Sequence, residues 1–131
     1  MDSVTNVLMT GAGSPGGPGI LKLLDGIEGI RLFTADMNSV STGRFLSENF
    51  FQIKPASDPD FIDNLLDICI EKEILFILPL VTKELLLLSK NKAKFESRGI
   101  RIIVSDYESL KIANNKALLY MHLESHGVPI P

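Results

Sequence analysis

The stretch "MTGAGSPGGPGI" (9–20) decides the fold. It follows the apolar pair Val7–Leu8 and runs into "ILKLL" (20–24), so a strand passes through glycines into a helix. Gly11, Gly13 and Gly16 satisfy G-x-G-x-x-G. Asp36 lies about twenty residues further on, where the dinucleotide-binding pattern expects an acid on a ribose. Such a turn presents backbone N–H groups and the positive end of a helix dipole, an anion site whatever the anion. Ser14 could add a hydroxyl donor. Pro15 and Pro18 depart from the dinucleotide pattern, because they bracket the third glycine and remove two N–H donors. The alternatives stay open here: a ligand-facing loop, or a tight turn for close helix–sheet packing. Asp36 is likewise either a ligand-facing acid or a turn residue closing a strand.

Working outward, "NVLMT" (6–10), "IRLFTAD" (30–36), "FFQI" (50–53), "ILFILPLV" (74–81) and "IRIIVS" (100–105) read as five strands. Between them lie helical stretches. The first begins near Gly17–Pro18 and ends at Gly26, with proline in the first turn, where its missing N–H has no partner anyway. "SDPDFIDNLLDICIEKE" (57–73) takes Ser57 or Asp58 as its N-cap. Thr82 caps a single helix over "KELLLLSKNKAKFESRG", which Gly99 closes. "DYESLKIA" (106–113) is a short helix. "NNKALLYMHLESHG" (114–127) is an amphipathic one with Leu118, Leu119 and Met121 or His122 inward. The polar, turn-rich segment 37–49 is long for a connection and reads as a ligand-facing loop. This alternation predicts an α/β fold, a doubly wound, mainly parallel five-stranded sheet with helices on both faces.

At 131 residues the chain has room for one core, and 45% apolar with 22% charged residues is globular composition, which excludes disordered and fibrous classes. A net charge of −3 with no Lys/Arg stripe speaks against a nucleic-acid partner, which would demand a cationic face. The apolar runs are too short to span a bilayer, and the N-terminus lacks a basic, then apolar, signal pattern. A single cysteine, Cys69, excludes an internal disulfide and shares a helical face with Ile62 and Leu65, so we expect a buried thiol and a cytoplasmic protein. No Gly-Lys-Ser/Thr follows the glycine loop, and Ser14 is not in a G-x-S-x-G elbow. His122 and His126 are one turn apart, but "HLESH" is not H-E-x-x-H and suggests no third ligand, so no metal site is expected.

The far end of the chain adds a family. "SDYESLKIANNKALLYMHLESHGVPIP" (105–131) resembles the junction at which the N-terminal domain of an ATP-grasp enzyme hands over to its ATP-binding domain. Its parts are a helix at Ser105–Ile112, the step Asn115–Lys116, a helix from Ala117 to His126, and "GVPIP". "VLMTGAGSPGGPGILKLL", "RLFTAD", "FFQIKP" and "ILFILPLVTKELLLLS" are similar, in order, to successive segments of the Rossmann-like pre-ATP-grasp domain. The nearest likeness is to carbamoyl-phosphate-synthase large chains.

The resemblance implies an ATP-dependent carboxylate–amine or carboxylate–thiol ligase that makes an acyl phosphate, with ATP and Mg2+ in the full-length enzyme. It divides the chain into a Rossmann-like domain at 1–112 and the start of the ATP-grasp domain at 113–131. It also implies that Gly11, Gly13, Ser14, Gly16, Gly17, Asp36 and Glu84 face a small-molecule carboxylate substrate, and that Lys116 contacts the nucleotide phosphates. Glu84 and Lys116 have plain alternatives, a first-turn acid favoured by the helix dipole and a solvated lysine. Asn115 stands where the family commonly has aspartate. The metal-binding acids and adenine pocket of the family have no counterpart in this sequence. We therefore expect no catalytic residue here and no catalysis without an ATP-grasp domain from the same or a partner chain. Two other readings remain: an NAD(P)-binding module built on the glycine loop, and a stand-alone domain binding a small anion or a partner. A homodimer through Leu118, Leu119 and Met121 is a further expectation.

Overall fold

The computed structural model describes residues 3–131. Five strands, β1 (Thr5–Thr10), β2 (Ile30–Asp36), β3 (Phe50–Gln52), β4 (Phe76–Pro79) and β5 (Arg101–Ile102), form one sheet in the order β3-β2-β1-β4-β5. Every pairing is parallel. Thr5–Thr10 faces Ile30–Ala35, and Val7–Thr10 faces Phe76–Pro79. Because strand side chains alternate, each central strand feeds two cores. Leu8, Phe33, Ala35 and Ile77 point to one side, against α3 (Phe61–Glu71), α4 (Thr82–Lys90) and α5 (Lys92–Glu96), where Phe61, Leu65, Cys69, Leu88 and Phe95 are buried. Met9, Leu32 and Leu78 point to the other, under Ile20 and Leu21 of α1 (Gly17–Leu24). Helices on both faces of an all-parallel sheet are the expected architecture. Cys69 is buried as its helical spacing predicts, and burial pushes its thiol up to about 12.

Several boundaries differ from the sequence reading. Neither Ser57 nor Asp58 caps α3: residues 55–61 form tight turns first, with the Asp58 carboxylate accepting from the Asp60 N–H, and the helix starts at Phe61. Val81, not Thr82, is the N-cap of α4. The long helix expected after it breaks at Asn91, whose side-chain amide donates to the Leu87 carbonyl, so α4 and α5 are separate. The segment 37–49 contains a short helix, α2 (Thr42–Leu46).

α6 (Tyr107–Ala113) and α7 (Lys116–Ser125) carry sound caps, the Asp106 carboxylate accepting from the Ser109 N–H and the Asn115 side chain from the Ala117 and Leu118 N–H groups. Of the residues expected to turn inward on α7, only Leu119 does so, and in part. Leu118 is 38% exposed, Met121 65% and His122 also exposed, whereas Leu119 and Leu123, four residues apart, are half-buried. A four-residue spacing makes a stripe that one neighbouring helix can cover, and α6 is the element α7 packs against.

Glu73 ends α3 in the left-handed region, φ 51°, with the Ile74 N–H bonded back to the Cys69 carbonyl. Glycine suits that position, so Glu73→Gly is expected to raise stability by up to ~1 kcal/mol in urea unfolding.

Candidate substrate cleft

The carboxyl ends of β1, β2 and β4 meet where the chain reverses its direction of winding, between β1 and β4, which is where open α/β sheets hold ligands. A cavity of about 820 Å³ opens there. Gly11, Gly13 and Ser14 come from the loop after β1, Asp36 from the end of β2, and Val81, Lys83 and Glu84 from the start of α4. The segment read as a ligand-facing loop supplies Met37, Asn38, Val40 and Ser41. Five of the expected residues thus converge: Gly11, Gly13, Ser14, Asp36 and Glu84. Gly16, Gly17 and Lys116 are not in the lining.

The glycines divide by steric role. Gly11 has φ +68°, and a Cβ there would lie 2.5 Å from Val81 Cγ2. A Cβ on Gly17 would sit 2.6 Å from the Ala12 carbonyl oxygen, so α1 could not start against the loop. Around Gly16 there is open space. Gly43, at the start of α2, presses on the same loop from outside, a Cβ there falling 2.7 Å from Ala12 O. Close packing therefore accounts for Gly11 and Gly17.

The loop's N–H groups are largely engaged within the protein. Ala12 N–H donates to the Ala35 carbonyl, Ser14 N–H to Gly11, and Gly17 N–H to Ser14. Gly13 N–H donates to Asp36 Oδ2 at 2.8 Å, and Asn38 N–H to Asp36 Oδ1 at 2.9 Å. A carboxylate of the chain already sits where a pyrophosphate would need donors. This arrangement does not suit a dinucleotide phosphate, and Asp36 acts first as the clamp joining the glycine loop to the loop after β2.

Glu84 is the unusual group. It is only 6% exposed, and its Oε2 accepts a 2.6 Å hydrogen bond from the Thr10 hydroxyl. No salt bridge reaches it among the described residues. Burial pushes its carboxyl up to about 7, the Thr10 bond opposing and the nearby Asp36 charge adding to the rise. A buried titrating acid in a cleft is a mark of functional sites. Ser41, also 6% exposed, has a hydroxyl with no partner.

A family model described as "PylC-like, N-terminal domain" matches residues 7–103. The chain belongs to this family. Among solved structures, this PylC-like domain is similar to a pyruvate carboxylase from Rhizobium etli (16% identity, TM-score 0.67, covering 98% of this chain and 13% of that one). It is also similar to the biotin carboxylase domain of a thermophilic 2-oxoglutarate carboxylase bound to bicarbonate (16%, 0.66, 97% and 29%). A third likeness is to N5-carboxyaminoimidazole synthetase from Staphylococcus aureus complexed with ADP (15%, 0.61, 97% and 31%). At these identities the likeness is one of fold, that of an ATP-grasp N-terminal domain, and the chain spans less than a third of each of these proteins. No curated protein matches the chain.

Lys116 is exposed in the first turn of α7, outside the cavity lining. Among the described residues no three His, Cys, Asp or Glu side chains converge as metal ligands, and no helix is long and apolar enough to cross a membrane. The sequence reading missed Thr10, Ser41 and Lys83. Thr10, at the last position of a strand before the glycine turn, carried a signal: a hydroxyl there faces the ligand end of the sheet. Ser41 carried none of its own beyond lying in the ligand-facing segment 37–49.

Proposed function

We propose that this domain forms the substrate side of an ATP-dependent carboxylate–amine or carboxylate–thiol ligase, the carbamoyl-phosphate-synthase type being the nearest version. Residues 1–112 form the Rossmann-like unit, and 113–131 open the ATP-grasp domain, which the same chain or a partner chain completes. In the whole enzyme ATP with Mg2+ supplies the phosphoryl group that turns a carboxylate into an acyl phosphate, and a nucleophile then displaces phosphate. The residues of this chain bind and orient. Gly13, Ser14, Asp36 and Glu84 wall the small molecule, Gly11 and Gly17 shape the turn that brings them there, and Lys116 places a point charge against the nucleotide phosphates. Exposed Leu118 and Met121 fit a surface that the ATP-grasp domain, or a second copy, covers. A cytoplasmic location fits the lone buried cysteine.

The single observation that carries this reading is the cavity at the strand ends with a buried, titrating Glu84 in its wall. The test is ADP release by the domain together with its ATP-grasp domain, across a panel of small carboxylates and amines. We expect ADP release that depends on one such pair. NADH bound with enhanced, blue-shifted fluorescence, and no substrate-dependent ADP, would contradict it.

A further inference from the structure

The only two histidines of the chain, His122 and His126, stand one turn apart at the end of α7. Both are exposed, and their ring centroids lie 4.4 Å apart with the planes tilted by 37°. His126 Nδ1 is 2.8 Å from the His122 carbonyl oxygen. A carbonyl can only accept, so Nδ1 carries the ring proton and Nε2 keeps its lone pair. Ser125 Oγ donates to the same carbonyl at 2.7 Å and lies 3.1 Å from the same Nδ1, which holds the ring in place. A histidine that gives one ring N–H to a backbone carbonyl and leaves the other nitrogen free is oriented as metal-ligating histidines are.

We propose that His122 and His126 form a two-imidazole site for a divalent transition-metal ion of the zinc, nickel or copper class, with water in the remaining positions. Residues four apart are neighbours on one helix face. Two nitrogens bound to one such ion at ~2.0 Å each stand about 3 Å apart, and two exposed side chains reach that spacing from the observed stack by small rotations. The helix adds charge of the right sign, because the last turn is the negative end of its dipole. Lys116, the only lysine or arginine of α7, lies in its first turn, at the opposite end. Imidazole favours zinc, nickel and copper, whereas magnesium and calcium take oxygen ligands. The expectation of no metal site rested on the lack of a third side-chain ligand, and none converges among the described residues. Water supplies the missing donors at an exposed site, so two imidazoles suffice for binding, although not for the closed cage of a structural zinc. Neither histidine lines the cavity at the strand ends, so the inference stands apart from the reading of that cleft. The ion would tie residue 122 to residue 126 and so brace the last turn of α7, from which the chain leads into "GVPIP".

The test is a zinc sulfate titration of the chain at pH 7.5, followed by calorimetry and by imidazole ¹⁵N NMR, with magnesium sulfate as the control. Because the chain has two histidines, every imidazole signal belongs to this pair. We expect one zinc per chain, both Nε2 resonances moving together, and no response to magnesium. His122→Ala and His126→Ala should each weaken zinc at least about tenfold, since loss of even an outer partner of a ligand costs that much. Met121→His combined with His122→Ala keeps two histidines but sets them on different faces, and should bind as weakly as the single variants. The proposal is overturned if the variants bind zinc as tightly as the native chain, if only one ring responds, or if one zinc is taken up per two chains with dimerisation.

Discussion

Glu84→Gln should stabilise the fold at pH 8 and flatten its pH dependence. The buried carboxyl titrates near 7 in the native state against an ordinary value of 4.5, so between those values the native state holds a proton the unfolded chain has released. Stability therefore falls as pH rises through this window and levels off above about 7. A shift of this size corresponds to on the order of 3 kcal/mol. Glutamine keeps an acceptor for the Thr10 hydroxyl and has no charge to desolvate. Urea midpoints at pH 5 and pH 8 decide it: the native chain loses stability between them, the variant changes far less, and the variant is the more stable at pH 8. A variant less stable than the native chain at pH 8 would mean that Glu84 is paired with something this account omits. A group whose ionisation costs stability, kept in the wall of a cleft, is the trade expected of a functional residue.

Gly17→Ala should be costly and Gly16→Ala nearly silent, the reverse of what the motif suggests. In G-x-G-x-x-G the third glycine is Gly16, yet nothing lies within 4 Å of a Cβ there, and its backbone is right-handed at φ −84°. At Gly17 a methyl group would meet Ala12 O at 2.6 Å and Gly11 O at 2.9 Å. These are backbone atoms in the turn that positions the cleft, and they cannot swing aside as a side chain would. We expect about 3 kcal/mol lost for Gly17→Ala, against less than ~1 kcal/mol for Gly16→Ala. Thermal or urea unfolding of the two variants side by side checks this. Equal losses would mean that the loop is held in another way.

The alternation of short apolar runs with helical stretches made the sheet legible, because strands buried on both faces must be apolar throughout and their crossovers must be helices. The glycine turn after β1 and Asp36 at the end of β2 were visible as candidate ligand-facing groups, whereas Glu84 entered only through the family resemblance. Helix ends were less so. Asp58 is a good capping residue in isolation, but it bonds the Asp60 N–H within a turn instead. Asn91 stops a helix by turning its amide onto Leu87, a local competition that composition does not reveal. For α7, the sequence pattern put Leu118, Leu119 and Met121 or His122 inward, whereas Leu119 and Leu123 are half-buried and Leu118, Met121 and His122 are exposed. Ser41 could be read only as one member of the ligand-facing segment 37–49, since being buried without a partner is a property of the folded chain.

The most direct measurement is a pair of Michaelis constants for the ADP-releasing reaction, taken with Glu84→Gln in the presence of the ATP-grasp domain. The account predicts at least an about tenfold rise in KM for the organic substrate with KM for ATP unchanged, since Glu84 walls the substrate cleft. An unchanged substrate KM, or a change confined to ATP, would contradict it.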